Sequence, residues 1–211
     1  MRNLSVKTFQ YVSSIVIILY FFTFAGCNNE LERLEDYLVE FATVIKQGTN
    51  YIFKLDNGTI LTPAGSVNFN GDTGDRVILN WIPTNDNIVN IKSVSAIYTG
   101  NIQNEGYPNL YVNDPVKIQS IWVGGEYLNM ILEIEYHSIQ HSIGVLRDME
   151  SQSTDLYFAH SSNNDPEGYP QIMYASFLIS SLRNTNNTTH MPFNLYINTD
   201  KGIRHFQLTL K

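Results

Sequence analysis

Histidine, serine and aspartate side chains occur close together in the second half of the sequence. His160 is followed by Ser161, Ser162 and Asp165, which are the residue types of a base, a nucleophile and an orienting carboxylate. No serine lies in a Gly-x-Ser-x-Gly turn, the arrangement that exposes a nucleophilic serine in α/β-hydrolases. We therefore favour a structural role for His160 at the end of a strand. A hydrolase with a dispersed site near His160 and Asp165 is the alternative.

Metal ligation is a second chemistry that the sequence offers in two places. His137 and His141 would share one face of a helix, but the surrounding residues predict a strand and a hairpin, and no HExxH motif is present. Asp56, Asp72 and Asp75 could supply carboxylates to calcium, but they lack the ligand spacing of an EF-hand loop. Clusters of Gly and Asp more commonly form turns. We predict no metal site, no cofactor and no catalytic residue.

Two aromatic side chains flank a glycine pair in the second half of the chain. Trp122 and Tyr127 lie on either side of Gly124-Gly125, and they could form an exposed platform for a sugar or a protein. A core tryptophan followed by a hairpin turn fits the same residues, and we favour it for Trp122 as for Trp81, because β-sandwich cores commonly bury a tryptophan. Trp122, Tyr127 and His160 are the candidate binding residues.

The N-terminus has the organisation of an export signal. Arg2 and Lys7 give it a positive start, and residues 15–24 form an apolar stretch shorter than the roughly 20 residues that span a membrane. Ala25 and Gly26 then precede Cys27, the only cysteine, in a pattern that resembles a lipobox. We predict that residues 1–26 are a signal peptide and that Cys27 carries the lipid. The lipid would anchor the mature chain to the outer membrane, on its periplasmic or its outer side.

Charge and cysteine content exclude several classes of function. The sequence has 13 Lys and Arg against 20 Asp and Glu, and removal of the signal leaves 11 basic residues and a net charge of −9. Proteins that bind DNA or RNA need clustered Lys and Arg to meet the phosphates, so nucleic acid is not an expected partner. With Cys27 lipidated, no thiol is left for a disulfide, a metal site or a nucleophile.

Short strands follow a polar tether. Residues 27–36 are acidic and polar and predict a linker between the lipid and the folded body. In the predicted domain 37–109, apolar residues alternate or cluster in short runs between turn residues, which is the pattern of β-structure. The predicted strands are residues 38–45, 51–55, 59–62, 76–82 and 88–97, with a hairpin turn at Asn57-Gly58. Their number and length are typical of a small OB-type barrel.

A second domain is predicted at residues 110–211, after a boundary stretch at 100–115 that is rich in Gly, Asn and Pro. Its predicted strands are residues 116–123, 127–137, 142–147, 155–160, 172–182, 193–199 and 205–210, the last two joined by a turn at Asp200-Lys201-Gly202. Seven strands with polar turns suggest a β-sandwich. The Asn-rich residues 184–187 predict a mobile loop. The expected fold is all-β, an N-terminal OB-type barrel followed by a C-terminal β-sandwich.

Six short segments of the chain carry a family resemblance. They are Ala-Thr-Val at 42–44, Phe-Lys-Leu-Asp-Asn-Gly-Thr at 53–59, Gly-Asp-Arg-Val at 74–77, Asn-Asp-Pro at 113–115, Ile-Trp-Val-Gly-Gly-Glu-Tyr-Leu-Asn at 121–129, and Ala-His at 159–160 followed by Asp165. In this order, these segments resemble the NigD-like lipoproteins of Bacteroidetes. The resemblance spans essentially the whole mature chain. It implies an OB-type barrel followed by a β-sandwich, and it implies no particular reaction.

Two functional expectations of different classes follow. The favoured one is a lipid-anchored, non-enzymatic protein of the cell envelope that binds another envelope protein, a glycan or a bacteriocin-type toxin. The other is the hydrolase, which needs a deep cleft that gathers His160 and Asp165 with a nucleophile or a metal.

Overall fold

The structure describes the body of the protein. It is a computed structural model, and it describes residues 37–183 and 190–211. The predicted signal at 1–26, Cys27, the tether at 27–36 and the loop at 184–187 lie outside these residues. The elements of the described part are strands, apart from one 3-10 turn at Ser180–Leu182. No helix in that part is long and apolar enough to cross a membrane.

The first five strands close into a barrel. They are β1 (Leu38–Gln47), β2 (Asn50–Leu55), β3 (Ile60–Pro63), β4 (Arg76–Asn85) and β5 (Ile88–Ala96). Their order is β1-β2-β3-β5-β4. β1 is long enough to pair with β4 along its first half and with β2 along its second half, and β3 runs parallel to β5. The predicted OB-type barrel is confirmed.

Alternation in the sequence explains the barrel. Every second residue of β1 and β2 points inward, so that the barrel has its own apolar core of Ala42, Val44, Phe53, Leu55, Leu61, Val77, Leu79, Trp81 and Val89. The hairpin between β2 and β3 turns at Gly58, whose φ of 90° suits glycine. Asn57 Oδ1 accepts the Thr59 N–H at 2.9 Å and fixes this turn.

Eight further strands form the sandwich. They are β6 (Tyr98–Gln103), β7 (Lys117–Gly124), β8 (Tyr127–Tyr136), β9 (Ser142–Asp148), β10 (Asp155–Ser161), β11 (Tyr169–Leu178), β12 (Met191–Thr199) and β13 (Gly202–Leu210), in the order β13-β12-β10-β9-β6-β11-β8-β7. The sheet changes from one layer to the other at β6, which pairs with β11 first and with β9 at its end. Inward residues of both layers share one core, including Leu128, Met130, Leu132, Leu156, Phe158, Phe177 and Leu195.

Two strand predictions in this half are wrong in detail. β6 reaches into the stretch at 100–115 where we predicted a boundary and no strand, because its polar sequence lacks alternation and its pairing is parallel to distant strands. The predicted strand 172–182 begins earlier, at Tyr169, and ends at Leu178. Leu182 is buried by the 3-10 turn instead, since a short apolar run does not distinguish a strand from a helical turn.

Candidate functional site

His160 lies near the end of β10, where the strand alternation turns its side chain inward, and it is 3% exposed. Its Nδ1 lies 3.0 Å from the backbone oxygen of Asp114, and its Nε2 lies 2.9 Å from Nδ1 of His141. The backbone of His160 also bonds to Val112 and Asp114. The histidine therefore joins β10 to the β6–β7 connection and to the β8–β9 turn.

Asp165 completes this network from the loop after β10. Its Oδ2 lies 3.3 Å from Nε2 of His141, and both side chains are almost fully buried. The same carboxylate accepts three backbone N–H groups of the β8–β9 turn, those of His137, Ser138 and Ile139, at 2.7–3.0 Å. Asp165 therefore holds the turn in place.

The chemistry of the bonded partners indicates where the ring protons of His160 and His141 lie. A backbone oxygen only accepts, so Nδ1 of His160 carries a proton, and Nε2 of the neutral ring must accept from Nδ1–H of His141. Nε2 of His141 faces a carboxylate, which also only accepts. Each ring nitrogen of His141 therefore faces an acceptor, His160 Nε2 on one side and Asp165 Oδ2 on the other.

The pKa directions agree with this assignment. Burial opposes ionisation of Asp165, but the three backbone N–H groups and His141 outweigh it and lower the pKa to about 2. Burial lowers the pKa of His160, and the charge of His141 adds to the effect. Asp165 is therefore a carboxylate and His160 a neutral ring at neutral pH.

The two serines beside His160 bond elsewhere. Ser162 gives both its backbone N–H and its hydroxyl to Asp114 Oδ2, at 2.8 and 2.7 Å, and these bonds lower the pKa of Asp114. The hydroxyl of Ser161 donates to Asn163 at 3.0 Å. The structure brings His160 and Asp165 together through His141, which the sequence analysis did not expect, but it gives neither serine a basic partner.

An open cleft of about 460 Å³ lies over this network. Its lining carries six carboxylates against one lysine, Lys117, and the acidic residues are Asp114, Glu133, Glu135, Asp165, Glu167 and Asp200. Asp114 and Asp165 are already bonded to Ser162 and His141, and Glu133 pairs with Lys117 at 2.8 Å. The other three carboxylates are exposed and can attract a positively charged group, although solvent partly screens this attraction.

The carboxylates and histidines do not converge on a metal. Within residues 37–183 and 190–211, no group of three His, Cys, Asp or Glu side chains could hold a metal ion. His137 bonds Ser138 and is not directed toward His141. Asp72 pairs with Lys46, and Asp75 accepts the N–H of Asp72. Asp56, the third candidate calcium ligand, forms an ion pair with Arg76. The three aspartates therefore do not converge on one site.

The two candidate aromatic residues contact the barrel. The half-buried ring of Trp122 packs edge-on against Phe41 of β1, with 5.0 Å between ring centroids. Tyr127 stacks on the guanidinium of Arg76 at 4.1 Å. The rings lie between barrel and sandwich and do not form an exposed platform. Trp81 belongs to the barrel core and donates Nε1–H to Glu40.

Arg76 organises this junction, and sequence reasoning missed it. Its side chain is fully buried, and its guanidinium bonds both oxygens of Asp56 at 2.7 and 3.0 Å. The remaining donors reach Thr43, Asn129 and Ser176, so all five N–H groups are satisfied. Asp56, Arg76, Tyr127 and Asn129 all belong to segments that carry the family resemblance. Their presence in those short segments was the one available signal.

Comparison with known proteins identifies the family. A family model described as the NigD-like C-terminal beta sandwich domain matches residues 100–209, more than half of the chain. The chain belongs to the NigD-like family. This confirms the resemblance found in the sequence. No match was found among curated proteins.

Solved structures of similar fold come from the same group of bacteria. A proposed toxin-related protein from Parabacteroides distasonis is 27% identical, with a TM-score of 0.75, and the match covers 83% of this chain and 94% of that one. A NigD-like immunity protein from Bacteroides caccae is 23% identical, with a TM-score of 0.65 and coverage of 81% and 90%. A proposed lipoprotein from Bacteroides fragilis is 11% identical, with a TM-score of 0.62 and coverage of 83% and 98%. The last two show the fold alone.

Proposed function

We propose that this NigD-like chain is a lipid-anchored protein of the outer membrane that binds a protein partner and does not act by catalysis. The observation that carries the proposal is that the side chains around His160 are bonded to other groups of the protein. Its two ring nitrogens, the His141 ring and the Asp165 carboxylate are bonded to one another and to three loops. Groups held in this way position loops and are not available to exchange protons with a substrate.

The same observation weighs against the hydrolase alternative. A serine nucleophile needs a neighbouring base to take its proton. Ser162 has a carboxylate of lowered pKa as its partner, and a carboxylate of this kind is a weak base. The glycan alternative loses its motivation as well, because Trp122 and Tyr127 face the barrel.

A bacteriocin-type protein toxin is the partner class that we propose. The support is similarity, since one solved relative is named a NigD-like immunity protein and another a proposed toxin-related protein. An immunity role fits a protein held at the membrane by Cys27, where an arriving toxin is met first. The acidic tether at 27–36 would give the body reach from the surface.

Lipidation is tested by metabolic labelling with a fatty-acid analogue. The wild-type chain should take up label and fractionate with outer membranes, and Cys27→Ala should do neither. Equal labelling of both chains would overturn the anchor. Protease treatment of intact cells then distinguishes the two sides of the membrane, because only a surface-displayed body is digested.

Partner binding is tested by crosslinking in intact cells that carry either the wild-type chain or Ser162→Ala. If the chain acts by binding, the wild-type chain and Ser162→Ala should crosslink to the same partner protein, because the Ser162 hydroxyl then takes part in no reaction. A deletion strain should become more sensitive to toxins from competing strains, and Cys27→Ala should fail to restore resistance. Unchanged sensitivity of the deletion strain to every toxin tested would contradict the immunity role.

A further inference from the structure

The sandwich contains a split where two strands lose a neighbour. β6 pairs with β11 only along Ala175–Leu178 and with β9 only along Val145–Leu146. Among the described residues, the first six of β11, Tyr169–Tyr174, and the first three of β9, Ser142–Gly144, therefore have a paired strand on one side only. Both unpaired edges border one open cleft of about 650 Å³.

The backbone of Ile143 faces this cleft. Ile143 is paired with His160 of β10. The backbone N–H of His160 donates to the Val112 C=O, and its backbone C=O accepts the Asp114 N–H. Both backbone groups of His160 therefore point away from β9. Partner residues in an antiparallel ladder turn their backbone groups both toward or both away from each other. The N–H and C=O of Ile143 therefore point away from β10, and Tyr98 Oη donates to that C=O at 3.0 Å.

The backbone of Ile172 faces the cleft from the opposite wall. Ile179, directly after β11, donates its backbone N–H to the C=O of Glu126, which directly precedes β8. Along a strand, successive residues direct their backbone N–H and C=O groups alternately to one side and to the other. The odd-numbered residues of β11 therefore bond β8, and Ile172 turns its N–H and C=O into the opening. Pro170 has the same direction but no N–H, which limits how far a further strand can pair.

The lining indicates what the cleft would accept. It contains no Asp, Glu, Lys or Arg and consists of Tyr98, Ile134, Tyr136, Gln140, His141, Ser142, Ile143, Asn163, Gln171, Ile172 and Met173. Tyr98 is 44% and Ile172 is 42% exposed. Unpaired backbone donors and acceptors at a strand edge can pair with the backbone of another strand, and exposed apolar side chains can pack against apolar side chains of that strand. The chemistry differs from that of the acidic cleft over Asp165.

We propose that the cleft between β9 and β11 accepts an extended, uncharged segment of a partner protein as an added strand beside β11. The segment exchanges backbone hydrogen bonds with Ile172 and places alternate apolar side chains against Tyr98 and Ile172. The free edge of β11 is about 20 Å long, at ~3.3 Å per residue. The inference rests on the proposed function, since it names the surface through which the protein partner binds.

The test uses phage-displayed, unconstrained 12-residue peptides and three forms of the mature chain. Ile172→Pro removes the N–H that faces the cleft and leaves the ladder with β8 intact, whereas Ile172→Val keeps both that N–H and an apolar β-branched side chain and is the matched control. Selection on the wild-type chain should enrich uncharged peptides with apolar residues at alternate positions. These should bind Ile172→Val with nearly wild-type affinity, and Ile172→Pro at least tenfold more weakly. The Ile172 amide should exchange its hydrogen quickly in the free chain and slowly with peptide bound.

Three outcomes would overturn the inference. They are no enrichment of such peptides, equal binding to Ile172→Pro, and an Ile172 amide that is already protected in the free chain. A dimer of this chain that Ile172→Pro abolishes would assign the edge to a second copy instead. If crosslinking in cells still captures a partner, with Ile172→Pro as well as with wild type, the proposed function stands and only the surface is wrong.

Discussion

At the scale of single residues, the two polar networks show what buried charge does in this protein. Arg76 and Asp56 pair at the junction with every donor of Arg76 satisfied, and His141 pairs with Asp165 under the acidic cleft. A buried charge is tolerated only when hydrogen bonds replace the water that it loses. Both pairs therefore hold together segments that are distant in the sequence.

Removal of Asp56 tests the first pair. Asp56→Ala leaves the Arg76 guanidinium buried without its counter-charge, and we expect the free energy of unfolding to fall by about 3 kcal/mol, as for other broken buried pairs. Urea denaturation followed by circular dichroism measures it. The matched control is Asp72→Ala, which removes a carboxylate that is 85% exposed from Lys46 and should leave the midpoint unchanged. Equal effects of the two variants would show that the junction pair adds nothing.

The second pair predicts a dependence on pH. The pKa of Asp165 is about 2 in the folded chain and near 3.9 in an unfolded one, so that the unfolded state takes up the proton first. The stabilisation is complete above about pH 5 and is lost as the pH falls toward 2. The difference in urea midpoint between wild type and Asp165→Asn should therefore shrink between pH 5 and pH 2. A difference that stays constant over this range would refute the assignment of the bonds to Asp165.

At the scale of elements, the hairpin between β7 and β8 is shaped by its contact with the barrel. A Cβ on Gly124 would lie 2.6 Å from Oδ2 of Asp56, whose two oxygens are already bonded. Gly124→Ala must therefore displace Asp56 from Arg76. We expect a loss of stability of about 1–3 kcal/mol, measured by thermal unfolding. Gly65→Ala is the control, because nothing lies near its Cβ, and a similar loss in both would point to glycine flexibility and not to the contact.

Local patterns predicted the elements, and contacts between distant residues escaped prediction. The barrel strands alternate and their turns carry Asn57-Gly58, so both could be read from neighbouring residues. β6 could not, since its pairing partners lie far along the chain. The partner of Arg76 at Ser176 is 100 residues away, and His141 and His160 are joined only by the fold. Polar networks between such distant residues produce no regular spacing in the sequence by which they could be predicted.

At the scale of the whole molecule, the junction should make barrel and sandwich unfold together. Trp122→Phe keeps a ring against Phe41 and leaves Trp81, in the barrel core, as the only tryptophan. Its fluorescence then reports the barrel, while circular dichroism reports mainly the sandwich. We expect the two urea transitions to coincide. Adding Asp56→Ala should separate them, and separate transitions before that change would contradict a coupling role for the junction.

The most direct test of binding without catalysis is the intact mass of the crosslinked partner after incubation with the mature chain. We expect a stoichiometric complex from which the partner is recovered with its mass unchanged, and equal affinities of the partner for the wild-type chain and for Ser162→Ala. A partner that is cleaved or modified by the wild-type chain, and left unchanged by Ser162→Ala, would show that the chain is an enzyme.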